Sequence, residues 1–101
     1  MFIRVHADLR VTLENPHNFK QFHVEITKGL DPTAVGKALG ATARLDSGKI
    51  AWVSESALRA WPSVRGDKAW QESFSAMLAY ARQKGWIDTK TGAIQAHIEW
   101  K

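Results

Sequence analysis

The stretch Phe2-Ile3-Arg4-Val5-His6-Ala7-Asp8-Leu9-Arg10-Val11-Thr12-Leu13 alternates apolar and polar residues almost without error. Ile3, Val5, Ala7, Leu9, Val11 and Leu13 fall on one side, and Arg4, His6, Asp8, Arg10 and Thr12 on the other. Strict period-two alternation is the pattern of a half-buried β-strand, and it predicts one long strand over 2–13. Phe19 to Thr27 repeats the pattern, with Phe22, Val24 and Ile26 facing inward. Between the two lies Glu14-Asn15-Pro16-His17-Asn18. Its Asn-Pro sets up turn geometry and removes a ladder donor. The pair therefore reads as a β-hairpin with one apolar face and one wet face.

Working outward, Asp31-Pro32 opens a helix, with Asp as cap and Pro in the first turn. Val35, Ala38 and Leu39 form its apolar stripe, and Gly40 ends it. Ala41 to Leu45 and Lys49 to Val53 flank Asp46-Ser47-Gly48 as a second hairpin. Ser54 caps a short helix over 55–61 that Pro62 closes. Asp67 caps the longest helix, in which Trp70, Phe74, Met77, Leu78 and Ala81 recur at helical spacing before Gly85. Ala93 to Trp100 is a last strand, with a further short strand predicted at Trp86. The predicted order is ββαββααβ, an α+β class with an antiparallel sheet and helices packed on one face. All of 1–101 reads as a single domain.

Composition narrows the classes of function. Hydrophobic residues make up 45% and charged residues 24% of the 101 residues, the balance of a soluble globular chain rather than a disordered one. There is no cysteine, which excludes disulfides and thiolate metal sites. No apolar run approaches the roughly 20 residues of a membrane helix, and no signal peptide is indicated, so a cytoplasmic protein without a membrane partner is expected. The net charge is +4, but the basic residues are scattered and form no run of the kind that marks a nucleic-acid arm. Five tryptophans in so small a domain suggest that some line a pocket or an interface. Self-association into a homodimer, or contact with another protein, is the partner class this favours. An open sheet edge at the two terminal strands would serve it.

One pattern carries chemistry. Three times the chain writes histidine, an apolar residue, then an acid: His6-Ala7-Asp8, His23-Val24-Glu25 and His97-Ile98-Glu99. Histidine and carboxylate on one strand face are raw material for metal binding and proton transfer, and Arg4 and Arg10 on the same face could hold an anion. Successive same-face residues are roughly 6.5–7 Å apart along a strand, so His6 and Asp8 are not expected to pair with each other, and their partners should lie across the sheet. In one hairpin register His6 opposes Glu25, and Asp8 opposes His23, as reciprocal pairs on a wet face. In the other, His6 opposes His23, and Arg4 opposes Glu25, a geometry suited to a metal. The solvated face is the favoured reading, and no metal or cofactor is assigned. The ligand-binding candidates are His6, Asp8, His23, Glu25, His97, Glu99, Arg4 and Arg10, and no catalytic residue is identified. The best functional reading is a small binding or interaction module. The rival is a small enzyme or metal-binding protein using the histidine-bearing face, with nucleic-acid binding third.

Overall fold

The computed structural model describes all 101 residues. It is an α+β domain with one six-stranded sheet and three helices. In chain order these are β1 (Phe2–Val5), β2 (Val11–Glu14), β3 (His23–Ile26), α1 (Pro32–Leu39), β4 (Ala43–Leu45), β5 (Ile50–Val53), α2 (Glu55–Arg59), α3 (Lys68–Gln83) and β6 (Ile94–Trp100).

The long strand expected over 2–13 is two strands. The chain reverses over 6–10: the His6 amide donates to the Arg10 carbonyl, the Leu9 amide donates to the His6 carbonyl, and the Asp8 carboxylate accepts the Arg10 amide. Leu9 adopts the left-handed conformation, with φ 68°. Alternation could not reveal this turn. In the hairpin Ile3 pairs with Leu13 and Val5 with Val11, so odd-numbered residues keep one face on both arms. The apolar pattern therefore runs unbroken through the reversal.

The extra reversal changes the sheet. β3 runs parallel to β1, with Phe2 beside His23 and Arg4 beside Glu25. β6 runs parallel to β3, with His23 beside His97 and Glu25 beside Glu99. β5 pairs antiparallel with β6 and β4 with β5, which bears out the second hairpin. The order across the sheet is β2-β1-β3-β6-β5-β4, so the sheet is mixed rather than purely antiparallel. Neither antiparallel register expected for the first two strands exists, because β1 and β3 are parallel neighbours and not arms of a hairpin. The first and last strands, β1 and β6, are both internal, and the edges are β2 and β4. An open edge at the terminal strands, one ground for expecting a homodimer, is thus absent.

Between β2 and β3 the segment 15–22 passes the start of β1. The Met1 ammonium donates to the carbonyls of Asn18, at 2.6 Å, and Gln21, at 3.0 Å. The Trp70 indole N–H donates to the Pro16 carbonyl at 2.7 Å. These bonds fix where β3 begins, and hence where His23 stands.

One face of the sheet is apolar. Ile3, Val5, Val24, Ile26, Ile94, Ala96, Ile98, Ala51 and Val53 are buried and join a single cluster with Val35 and Leu39 of α1, Leu58 of α2, and Trp70, Phe74 and Leu78 of α3. Each such valine, leucine, isoleucine or phenylalanine contributes roughly 1.5–3 kcal/mol by leaving water. The caps are as the sequence predicts. The side chains of Asp31, Ser54 and Asp67 accept from Thr33, Ala57 and Trp70 respectively. Gly40 and Gly85 take positive φ beyond α1 and α3. α2 stops at Arg59, short of Trp61. At Trp86–Ile87 a single bridge joins Ile87 to Ile94 instead of a strand. No helix is long and apolar enough to cross a membrane.

Candidate functional site: a histidine–carboxylate cluster on the sheet

The opposite face of the sheet presents Phe2 and Arg4 from β1, His23 and Glu25 from β3, and His97 and Glu99 from β6, in register. Parallel pairing places equivalent positions of the second and third His-x-acid copies side by side. His23 is buried, the one buried polar side chain of the protein. Its ring lies between Phe2, at 4.8 Å and 13°, and His97, at 5.4 Å and 22°, forming a stack of three rings across three strands.

The carboxylates gather at the edge of that stack. His23 Nε2 lies 3.0 Å from Glu25 Oε2 and 3.2 Å from Glu99 Oε2. His97 Nε2 is 3.7 Å from Glu99 Oε1. His6 and Asp8, the pair expected not to meet, do not, but the histidine and acid of the second and third copies do. Their Cα atoms are a two-residue step apart, but both side chains are long enough to lean along the strand and close the gap. Lys101, the next same-face position after Glu99, brings Nζ to 3.6 Å from Glu99 and 3.9 Å from Glu25. Burial pushes the Glu99 carboxyl up, but the charges of His23, Lys101 and His97 outweigh it and hold the group below the usual glutamate range.

The remaining predicted site residues lie elsewhere. His6 follows β1, and its Nε2 is 2.8 Å from the Thr12 hydroxyl, which donates to Glu14 at 2.6 Å. Asp8 and Arg10 belong to the turn, where the Asp8 carboxylate accepts the Arg10 amide. Arg4 is exposed beside Glu25 and shares a small groove of about 30 Å³ with Glu25, Thr27 and Lys101. Of the cross-strand pairings expected, Arg4 with Glu25 alone occurs, and it does so in a parallel pair. The three histidines do not converge on one point; two of them do. The fourth, His17, is exposed and pairs with Asp67 at 3.4 Å.

The cluster opens into the largest cleft of the molecule, about 710 Å³. Its walls include Phe2 and Phe22, Tyr80 from α3, and Trp86 beyond it. Tyr80 and Trp86 are exposed and meet edge to face at 5.9 Å. Sequence reasoning placed Trp70, Phe74, Met77, Leu78 and Ala81 on the stripe of α3, which leaves Tyr80 off it. It missed Lys101, although His97, Glu99 and Lys101 continue one alternation, and it expected some of the tryptophans to line a pocket without singling out Trp86. Such a cleft, with aromatic walls and a few convergent polar groups, has the size and lining of a small-molecule site. Its polar groups can accept or donate a proton, or supply nitrogen and oxygen ligands to a cation.

Compared with known protein families, with curated proteins and with solved structures, the chain matches none.

Proposed function

We propose that this protein is a small-molecule binding module whose site is the cleft above His23, His97, Glu25 and Glu99. One observation carries the reading. The histidine–carboxylate cluster and the largest cleft coincide. A purely solvated sheet face, the reading the sequence favours, accounts for paired charges but not for a buried histidine between two rings at the base of a cavity. The ligand suited to this site has a flat apolar body, to lie against Phe2, Tyr80 and Trp86, and a polar head, to reach the histidines and carboxylates. An enzyme built on the same groups would need a reacting geometry, and none of these distances is specific to one reaction.

The test is an NMR titration of ¹⁵N-labelled protein with aromatic fragments bearing an acidic, a neutral or a basic head. The expected result is saturable shifts at Phe2, His23, His97 and Tyr80 and at the Trp86 indole, with one head preferred. Fragments of all three kinds that leave these signals unmoved would sink the reading.

A further inference from the structure

We propose that His23, His97 and Glu99 form a binding site for a divalent transition-metal ion of the zinc class, with Glu25 as the fourth protein group. The inference rests on the reading of the cleft as the binding site and names what sits at its base.

Geometry comes first. One nitrogen of each imidazole and one oxygen of Glu99 lie within 4.8 Å of one another. Around zinc, with bonds of about 2.0–2.2 Å, ligand atoms at the corners of a tetrahedron stand about 3.3 Å apart. His23 Nε2 lies 3.2 Å from Glu99 Oε2 and 3.0 Å from Glu25 Oε2, close to that edge, and His97 Nε2 lies 3.7 Å from the other Glu99 oxygen. The spread of up to 4.8 Å exceeds that edge, and His97, which is exposed, would have to turn to bring its nitrogen within reach.

Orientation is the second argument. Because β3 and β6 are parallel and in register, the nitrogen edges of the two imidazoles emerge on the same side, and the exposed His97 ring must turn out of the stack for both lone pairs to meet on one ion. Phe2 holds the far face of His23, so this ligand is aligned before any ion arrives. A prealigned ligand loses little freedom on binding.

Charge is the third. Glu25 and Glu99 are only partly exposed, and the full cation beside both is Lys101, whose side chain is largely exposed. A dication would neutralise both carboxylates and release Lys101 to solvent. The donor set of two imidazoles and one or two carboxylates, with no sulfur, suits zinc, cobalt, nickel or iron rather than copper(I) or calcium. Glu25, which meets the same Nε2 of His23, would serve as a further ligand. Coordination needs unprotonated imidazoles, so binding would expel protons and weaken as pH falls.

The test uses the whole chain, purified without a histidine tag, and titrated near neutral pH with zinc by calorimetry and with cobalt by visible absorption. The expected result is one site per chain, with the cobalt bands of a four- or five-coordinate ion. His97→Ala and Glu99→Gln, both at partly exposed positions and checked for folding by circular dichroism, should each weaken binding by more than ~10-fold, since even outer partners of a metal site cost that much. Lys101→Ala, which removes the competing cation, should tighten it. Absence of binding, or equal affinity in His97→Ala, Glu99→Gln and the parent, would overturn the proposal; the latter would put the ion elsewhere, for example at His17 and Asp67. The two readings fail separately. Fragment shifts without a metal response refute the metal site alone, and a metal response without fragment shifts refutes the small-molecule cleft alone.

Discussion

His23 shows how one residue can be held from every side. Its ring is stacked on both faces, and its Nε2 meets two carboxylates. Replacing it by phenylalanine would keep the stack and strip Glu25 and Glu99 of their shared partner. The expected cost is about 1–3 kcal/mol, the penalty for leaving a partly buried acceptor unpaired, measured by urea unfolding. An unchanged midpoint would mean that water or Lys101 satisfies both acids unaided. Glu99 gives the pH counterpart. Its carboxyl is held below its ordinary value, so folding gains from its ionised form at pH above about 4.5 and loses that gain as pH falls through the lower folded value. The difference in melting temperature between the parent and Glu99→Gln should accordingly shrink as pH falls below about 4.5 and through the lower folded value. A difference that grows on acidification would contradict the assigned sign.

At the scale of elements, the turn at 6–10 decides the topology, and it is the part the sequence conceals. The helices, their caps and the second hairpin were legible, because Asp31, Ser54 and Asp67 as caps, with Gly40 and Gly85 as stops, act locally. The first hairpin was not, because its pairing keeps parity across the reversal. The turn carries no glycine, proline or asparagine, and only Asp8 hints at it. A twelve-residue strand is itself long against a usual five or six. Within the candidate site, the second and third His-x-acid copies were legible as residues. Their partners were not, because parallel neighbours follow from the reversal. Leu9 bears the strain of the turn. An asparagine tolerates its left-handed conformation better, and Leu9 is partly exposed. Leu9→Asn is therefore expected to raise stability by up to about 1 kcal/mol in chemical denaturation. A destabilised variant would show that Leu9 contributes packing that outweighs its backbone strain.

At the scale of the molecule, one side of the sheet holds the core and the other holds the site, and Trp70 links them. It is buried at 1% exposure, stacks on Phe74 at 4.8 Å, and donates to Pro16 in the segment that leads into His23. Trp70→Ala should cost about 3–5 kcal/mol, a large share of the 5–15 kcal/mol typical of a domain. Thermal unfolding should shift down steeply or lose cooperativity. A shift of only a few degrees would mean that the segment 15–22 is held without it.

The position of β6 has a consequence for how the chain assembles. β6 follows every other strand in sequence, yet it lies inside the sheet, between β3 and β5. Without residues 94–100, β3 and β5 would each lack a neighbour on the side β6 fills and would leave a row of backbone donors and acceptors unpaired. The ordering contacts are also long-range, the kind whose loop-closure entropy slows folding. Closing the gap joins the two halves of the sheet and brings His97 and Glu99 to His23 in the same event. The cluster can therefore serve as a reporter of that closure, since its two halves lie on β3 and β6.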